Sequence, residues 1–245
     1  IPLLEKHNLS LCSGWYGANL RNNSVKEEIE LIQEQLKLFQ DCKAPCIVFA
    51  EVSDSIAGDP NRPLSTRPQM ENEEWTNFSK KISEIGKYLE DQDMPLAYHH
   101  HMGTVIETQK DTERLLESTS EHVKLILDTG HMLFARGDSI KIYNNFKDRI
   151  IHIHCKDMRK KTLDKSLDED LSFRNAFLNG AFTVPGDGII DYKPFFDVLK
   201  KNNYSGWLVV EAEQDPGKAN PLEYAKIGFK YLTKICEESN LKIIE

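Results

Sequence analysis

Histidine and carboxylate residues are concentrated where four apolar runs of the sequence end. Six of the eight histidines fall in these places, beside aspartate, glutamate and lysine. The four endings are His99-His100-His101, Asp128-Thr129-Gly130-His131, His152-Ile153-His154-Cys155-Lys156 and Glu211-Ala212-Glu213. Imidazole nitrogens and carboxylate oxygens together suit Mn²⁺, Co²⁺, Zn²⁺ or Fe²⁺. Because unpaired buried polar groups are costly, this concentration predicts a divalent-metal site rather than a set of structural histidines.

The spacing within each ending indicates which side chains lie on the same face of a strand. Strand side chains alternate between two faces, so residues two apart lie together. This rule groups His99 with His101, His152 and His154 with Lys156, and Glu211 with Glu213. In a parallel barrel the carboxyl ends of the strands form the mouth of the active site. We therefore expect these groups to converge there.

The elements that position these residues are short apolar runs alternating with amphipathic segments. Continuous apolar runs are typical of buried parallel strands. The predicted strands cover residues 9–15, 46–52, 96–101, 123–128, 150–156 and 207–213. Apolar spacing and capping residues predict helices over residues 25–39 and 75–89 and from Pro221 onward.

The predicted fold is a (β/α)8 TIM barrel of the α/β class. A doubly wound nucleotide-binding sheet is disfavoured because the sequence has no glycine-rich phosphate-binding turn. A closed barrel of this type has about eight strands. The six found here predict a single domain over residues 1–245 that lacks its first two strand units.

One connection, residues 158–191, is unusually long and polar. Structureless loops beyond about 12–15 residues are uncommon in compact domains and often cover binding sites. We expect a lid-like loop here.

Composition and charge narrow the classes of function. The sequence has 31 Lys and Arg residues against 39 Asp and Glu residues, a net charge of −8, which disfavours a nucleic-acid partner. The apolar runs are well short of the ~20 residues that span a bilayer, so no membrane partner is expected. Five cysteines without disulfide or zinc spacing predict reduced residues in a cytoplasmic protein.

Five segments form a more specific set of motifs. They are residues 97–104 (AYHHHMGT), 127–131 (LDTGH), 152–157 (HIHCKD), 182–188 (FTVPGDG) and 207–216 (WLVVEAEQDP). Together they resemble the inosose dehydratases of the xylose-isomerase-like TIM-barrel superfamily, and the similarity covers essentially the whole chain. The resemblance implies a metal-dependent lyase of inositol catabolism, which dehydrates 2-keto-myo-inositol to a trihydroxycyclohexane dione.

The resemblance also implies a set of metal ligands, with Mn²⁺ or Co²⁺ as the cofactor. The superfamily holds its metal with Glu, Asp, His and Glu at four strand ends. Asp128, His154 and Glu211 match the last three. The first position is a departure, because strand alignment places His99 where the superfamily has Glu. Glu107 is the alternative first ligand, although we expect it in the helix after the strand.

Dehydration beside a ketone needs a base for the carbon-bound proton and an acid for the departing hydroxyl. Lys156, with a pKa lowered beside the cation, is predicted to be the base or to stabilise the enolate. His101 is the candidate acid, and Glu211 joins the catalytic set through the metal. The candidates for substrate binding are His131, Glu213, Arg159 from the long loop, Trp15 as an apolar wall and Glu51.

Two other functions remain open from the sequence. A ketose isomerase or epimerase of the same superfamily would use paired acidic residues on opposite faces of the substrate, which His99 in place of Glu disfavours. A non-catalytic fragment is the other alternative, because an open six-strand sheet exposes two edges. The expected partner is a small cyclic polyol ketone, and a homo-oligomer is left open.

Overall fold

A parallel β-sheet forms the centre of the computed structural model, which describes residues 1–244. The strands in chain order are β1 (Trp15–Ala18), β2 (Ile47–Glu51), β3 (Leu96–His99), β4 (Val123–Asp128), β5 (Ile150–Cys155), β6 (Asp157–Met158), β7 (Phe182–Thr183) and β8 (Trp207–Val210). Six of them pair in the order β1-β2-β3-β4-β5-β8, every pair parallel. The predicted number of six strands in this sheet is confirmed. Strands β6 and β7 form a separate antiparallel ribbon.

Helices follow the strands and cover the sheet. They are α1 (Pro2–Lys6), α2 (Val25–Asp41), α3 (Asn72–Glu90), α4 (Gln109–Ser118), α5 (Thr129–Phe134), α6 (Ser139–Phe146), α7 (Lys160–Asp168), α8 (Phe173–Leu178), α9 (Tyr192–Lys201) and α10 (Pro221–Glu238). The three predicted helices correspond to α2, α3 and α10. Ser24 and Glu27 form the predicted capping box at the start of α2. Asn220 caps α10 through the backbone N–H groups of Leu222 and Glu223.

Two apolar clusters fix the helices to the sheet. One joins α2 and α3 to β2 and β3 through residues such as Ile32, Ile82 and Phe49. The other joins α9 and α10 to β4 and β5 through residues such as Phe196 and Ile153. Burial of these side chains holds the strands in one register, so the residues at the strand ends have fixed positions.

The predicted first strand, over residues 9–15, is wrong. β1 begins at Trp15, opposite Val48 of β2, and continues to Ala18. Leu9 is largely exposed, and its N–H donates to the carbonyl of Leu4 in α1. The apolar run in the sequence ends where the strand begins. The residues that pair with β2 are Trp15 and the three that follow it.

The segment 158–191 is not the structureless loop that its polar composition indicated. It contains α7, α8 and β7, and β7 pairs with β6. Phe173, Phe182 and Met158 from this segment pack with Met102 and Phe134 in an apolar cluster. The segment is therefore a folded layer packed on the sheet.

The cysteines and the helix lengths can also be compared with the sequence predictions. All five cysteines are free, as predicted. Among residues 1–244, no helix has the length and apolar character needed to cross a bilayer.

Candidate active site

Four potential metal ligands meet at the carboxyl ends of four adjacent strands. His99 ends β3, Asp128 ends β4, His154 is the penultimate residue of β5, and Glu211 directly follows β8. Because these strands are consecutive neighbours in the sheet, their ends bring the four side chains together. One nitrogen or oxygen atom of each lies within 4.8 Å of the others. We name these four residues the metal cluster.

The potential ligand atoms of the metal cluster lie close to one another. His99 Nε2 lies 3.2 Å from His154 Nδ1, and both nitrogens lie 3.6 Å from Asp128 Oδ2. Glu211 Oε2 lies 3.3 Å from His154 Nδ1. Asp128 Oδ2 is buried and accepts no hydrogen bond from the described residues. An unsatisfied buried carboxylate oxygen beside two imidazole nitrogens fits a divalent cation.

Backbone contacts orient two of these side chains. His99 Nδ1 lies 2.7 Å from the carbonyl oxygen of His100, so Nδ1 carries the proton and leaves the Nε2 lone pair free. Asp128 Oδ1 accepts a hydrogen bond from the N–H of His131, which leaves Oδ2 for the cluster. Such orienting partners are typical of metal sites.

The ionisation of the metal cluster follows from burial and neighbouring charge. Burial lowers the pKa of His99. Burial also opposes the charged form of His154, but the Asp128 and Glu211 carboxylates beside Nδ1 outweigh it and raise the pKa of His154 to about 9. Burial disfavours the charged form of Asp128 as well, yet the Lys156 ammonium group and nearby imidazoles hold the pKa of Asp128 well below its ordinary value. In the absence of an ion, the carboxylates therefore pair with protonated neighbours.

A second group lies beside the metal cluster. It consists of His101, His131, Glu213 and Lys156, and we name it the lysine cluster. Glu213 Oε2 lies 2.8 Å from Lys156 Nζ and 3.1 Å from His131 Nε2, while Glu213 Oε1 lies 3.5 Å from His101 Nε2. His101 Nδ1 lies 2.8 Å from the carbonyl oxygen of Met102, which places the proton on Nδ1 and the lone pair on Nε2.

Lys156 connects the two clusters. Its ammonium nitrogen lies 2.8 Å from Glu211 Oε2, 2.8 Å from Glu213 Oε2 and 3.4 Å from Asp128 Oδ2. Burial alone would lower the pKa of Lys156, but these three carboxylates raise it above its ordinary value. Without an ion, the contacts of Asp128, Glu211 and Glu213 with this amine therefore shift its pKa in the opposite direction to the one expected beside a bound cation.

Aromatic rings enclose both clusters. The Trp15 ring lies 5.5 Å from that of His99 and 5.7 Å from that of His101, and Trp15 is 45% exposed, as an apolar wall facing an open site would be. Phe173 lies 5.1 Å from His101. Phe182 lies 5.1 Å from His131, and Lys156 Nζ lies 5.0 Å from the Phe182 ring centre. These rings limit solvent at the polar groups and strengthen their interactions.

Glu51 and Arg159, two of the predicted substrate-binding residues, make their contacts outside the two clusters. Glu51 is fully buried, and its oxygens accept hydrogen bonds from the backbone N–H groups of Leu20, Arg21 and Ser53. It orders the loop after β1, so its predicted contact with substrate is not supported. Arg159 pairs with Asp187 Oδ2 at 2.6 Å and lies over Tyr224. These contacts join Arg159 to the segment 158–191 and to α10 rather than to either cluster.

Glu107, the alternative first ligand, is also held elsewhere. It lies in the turn before α4 rather than in the helix. Its Oε2 accepts a hydrogen bond of 2.6 Å from the N–H of Gly103, and Oε1 lies 3.4 Å from Arg67 Nε. His99, not Glu107, joins the metal cluster.

Phe173 is a site residue that is absent from the sequence candidates. Phe173 and Phe177 are four apart in a polar stretch, which is helical spacing, and they lie in α8. That signal was available, but the segment was assigned to a loop on its overall polarity.

Comparison with known proteins identifies the fold family. The profile of the xylose isomerase-like TIM-barrel family matches residues 2–235. The chain belongs to this family. The predicted xylose isomerase-like TIM-barrel fold is therefore confirmed.

Curated relatives place the chain within one branch of the xylose isomerase-like family. It is 42% identical over 235 residues to an inosose dehydratase of Mesomycoplasma hyopneumoniae strain J, covering 95% of this chain and 78% of the relative. It is 39% identical over 241 residues to the rhizopine catabolism protein MocC of Rhizobium meliloti, covering 98% of this chain and 74% of the relative. The predicted resemblance to the inosose dehydratases is confirmed.

Solved structures of xylose isomerase-like proteins share the fold at low identity. The IOLI protein with a bound zinc atom superposes with a TM-score of 0.69 at 17% identity, over 97% of this chain and 81% of that chain. The probable 3-DHS dehydratase AsbF from Bacillus anthracis superposes with a TM-score of 0.70 at 16% identity, over 95% of this chain and 79% of that chain.

Proposed function

We propose that this protein is a metal-dependent inosose dehydratase that removes water from 2-keto-myo-inositol. The observation that carries the proposal is the metal cluster, with two imidazole nitrogens and two carboxylates on four adjacent strand ends. Inosose dehydratases among the curated relatives support the substrate. The setting we propose is inositol catabolism in the cytoplasm.

The reaction is an elimination next to a ketone. The proton leaves the carbon between the ketone and the departing hydroxyl, a carbon–carbon double bond forms, and the hydroxyl leaves with a proton as water. The resulting enol rearranges to the trihydroxycyclohexane dione. The chain must therefore accept one proton at carbon and supply one at oxygen.

His99, Asp128, His154 and Glu211 would hold the divalent ion, for which we propose Mn²⁺ or Co²⁺. A bound ion would polarise the ketone oxygen as a Lewis acid and stabilise the enolate charge. Trp15, beside His99 and His101, would form an apolar wall against the substrate ring.

Proton transfer is assigned to the members of the lysine cluster that face open space. The side chains of His101 and Glu213 are 14% and 26% exposed, whereas that of Lys156 is only 1% exposed. A general base or acid must reach the substrate, so His101 and Glu213 are better placed than Lys156. His101 Nε2, with its free lone pair, is the proposed proton acceptor, and the protonated ring, paired with the Glu213 carboxylate, would then return that proton to the departing hydroxyl as the acid.

Lys156 and His131 complete the proposed site. The Lys156 ammonium group supplies positive charge near the enolate and orients Glu211 and Glu213. His131, between Lys156 and Phe182, directs its Nε2 at Glu213 Oε2. We propose that His131 and Glu213 also bind hydroxyl groups of the substrate.

The test is an assay of the full chain, loaded with Mn²⁺ or Co²⁺, on 2-keto-myo-inositol in heavy water. We expect a product that has lost one water molecule, measured by mass spectrometry. A product that has lost no water but is one mass unit heavier, with deuterium at the carbon beside the ketone, would establish the isomerase or epimerase alternative instead.

Two variants make the assay specific for the metal cluster. His99→Gln removes one proposed ligand and should abolish both metal retention and dehydration. His122→Gln is the matched control, because His122 pairs with Glu90 outside both clusters. Dehydration by His99→Gln at the wild-type rate would contradict the proposed site.

A further inference from the structure

The lysine cluster has the composition of a second metal site. His101, His131 and Glu213 each offer one ligand atom, and these atoms lie within 4.8 Å of one another. The group stands beside the metal cluster, and Lys156 Nζ contacts two members of it, Glu213 and His131. An ammonium nitrogen therefore lies against two of the three potential ligands.

Lys156 also contacts carboxylates of the metal cluster. Its nitrogen lies 2.8 Å from Glu211 Oε2 and 3.4 Å from Asp128 Oδ2, oxygens that also face the proposed ion. A cation at the position of Lys156 Nζ would therefore share two carboxylates with that ion. Shared ligands are what two-metal sites use, with ions roughly 3.5–4 Å apart.

The charges of the two clusters account for a lysine at this position. Asp128, Glu211 and Glu213 contribute three negative charges, all within ion-pair distance of Lys156. One divalent ion neutralises two of them and the ammonium group neutralises the third. Because charge that is wholly or partly removed from water is costly unless it is paired, removal of the ammonium group would leave one uncompensated negative charge that a cation can neutralise.

We propose that Lys156 fills a second metal site and keeps the protein mononuclear, and that loss of its charge lets a second divalent ion bind to His101, His131 and Glu213. The proposal rests on the metal cluster of the proposed function but not on the reaction. Its ligand is a divalent transition-metal ion of the same class as the first.

The two histidine ligands of the second ion differ in whether their Nε2 lone pair is free. His101 Nε2 already has a free lone pair, because Nδ1 lies against the carbonyl of Met102. His131 Nδ1 accepts a long hydrogen bond of 3.4 Å from the N–H of Met102, so Nε2 carries the proton in the neutral ring. Binding at His131 Nε2 must displace that proton and release the Met102 contact. The second ion should therefore bind more weakly than the first and release a proton.

The experiment counts Mn²⁺ ions per chain by elemental analysis after desalting, in the full chain and in Lys156→Ala. We expect one ion in the wild type and two in the variant. Electron paramagnetic resonance should show spin coupling between the two ions, since shared carboxylates would hold them close together. Adding Glu213→Gln to Lys156→Ala should return the count to one.

Lys81→Ala is the matched control. Lys81 is a partly buried lysine whose ammonium group donates to the carbonyls of Leu20 and Asn23, with no carboxylate partner in the two clusters. It should bind one ion. Two uncoupled ions in Lys156→Ala would mark surface binding and overturn the proposal.

The remaining outcomes separate this proposal from the proposed function. No ion in the wild type would refute the metal cluster itself. One ion in both proteins, or two in the wild type, would overturn only the role of Lys156. If Lys156→Ala does not fold, Lys156→Gln is measured instead, because its shorter amide leaves the nitrogen position free. Failure of both variants to fold in excess Mn²⁺ would also contradict the proposal.

Discussion

His152 and His154 lie on one face of β5, yet their environments drive their pKa values apart. Burial lowers the pKa of His152 to about 3, and no carboxylate of the described residues compensates it. The Asp128 and Glu211 carboxylates beside His154 overcome the same burial and raise its pKa to about 9. The neutral ring of His152 and the ring of His154 in the metal cluster are therefore only two positions apart on the strand.

His101 provides the first prediction. His101→Asn removes the proposed proton acceptor but none of the four residues of the metal cluster. We expect kcat and kcat/KM to fall together by about 10²–10⁴, because general base catalysis acts only in the transition state. Metal content should be unchanged. Steady-state kinetics on 2-keto-myo-inositol and elemental analysis measure both.

The control for this change is His122→Asn, whose ring contacts Glu90 away from the site. It should keep the wild-type rate. If His101→Asn raises KM while kcat stays constant, His101 only binds substrate, and the proton acceptor must be sought at Glu213.

Glu107 gives a prediction for the pH dependence of stability. Burial raises the pKa of Glu107 from its ordinary value of 4.5 to about 7. Between these values the folded chain binds more protons at Glu107 than the unfolded chain. The free energy of unfolding should therefore fall as pH rises through this window, by about 1.4 kcal/mol per pH unit from this group.

Glu107→Gln removes this titration, and its amide oxygen can still accept the hydrogen bond from Gly103. Denaturant unfolding from about pH 5 to about pH 8 should show the wild type losing stability relative to the variant as pH rises. Parallel curves for the two proteins would show that the carboxyl group does not retain its proton in the folded chain.

At the residue scale, strand alternation was enough to predict which polar side chains meet. His99, Asp128, His154 and Glu211 come together as expected because each is fixed at the end of a parallel strand. The charge state of Lys156 was not predictable in the same way. It depends on the distances to three carboxylates from two other strands, and no sequence spacing encodes them.

At the scale of secondary-structure elements, the next prediction concerns helix α8. Its Phe173 packs against the rings of His101 and His131, at 5.1 and 5.7 Å. Phe173→Ala should lower kcat/KM on the order of 10²-fold, because a small displacement of catalytic groups has effects of that size. Stability should also fall by about 3–5 kcal/mol, as for other buried Phe to Ala changes. Kinetics and denaturant unfolding measure the two effects.

Phe177→Ala is the matched change in the same helix. Phe177 contacts Phe173 at 5.5 Å but is less buried. It should lower stability with a much smaller effect on kcat/KM. Equal kinetic effects of the two substitutions would show that α8 acts through its overall stability rather than through the contacts of Phe173.

Three elements, β1, α7 and α8, could not be located from the sequence pattern alone. The start of β1 is set by its register against β2, with Trp15 opposite Val48, which is a contact between distant residues. Helices α7 and α8 span only nine and six residues, so their short amphipathic patterns were hidden within a charged segment. Strands β2 to β5 were predicted closely because burial on both faces gives them continuous apolar runs.

The whole molecule has a net charge of −8, and the site likewise has more carboxylates than ammonium groups. Asp128, Glu211 and Glu213 face a single ammonium group, that of Lys156. The folded chain therefore holds buried negative charge that the unfolded chain would leave in water. A cation that binds only the folded state should stabilise the entire domain.

Thermal unfolding tests this consequence. With Mn²⁺ at about 100 times its Kd, the stabilisation should be about 2.7 kcal/mol. For a chain of this size, each kcal/mol raises Tm by roughly 2–4 °C, so Tm should rise by roughly 5–10 °C and fall again with a chelator. His99→Gln, which lacks one ligand of the metal cluster, should show a much smaller rise at the same Mn²⁺ concentration. Equal rises in both proteins would place the stabilising ion away from His99, because only an ion in the metal cluster depends on that imidazole.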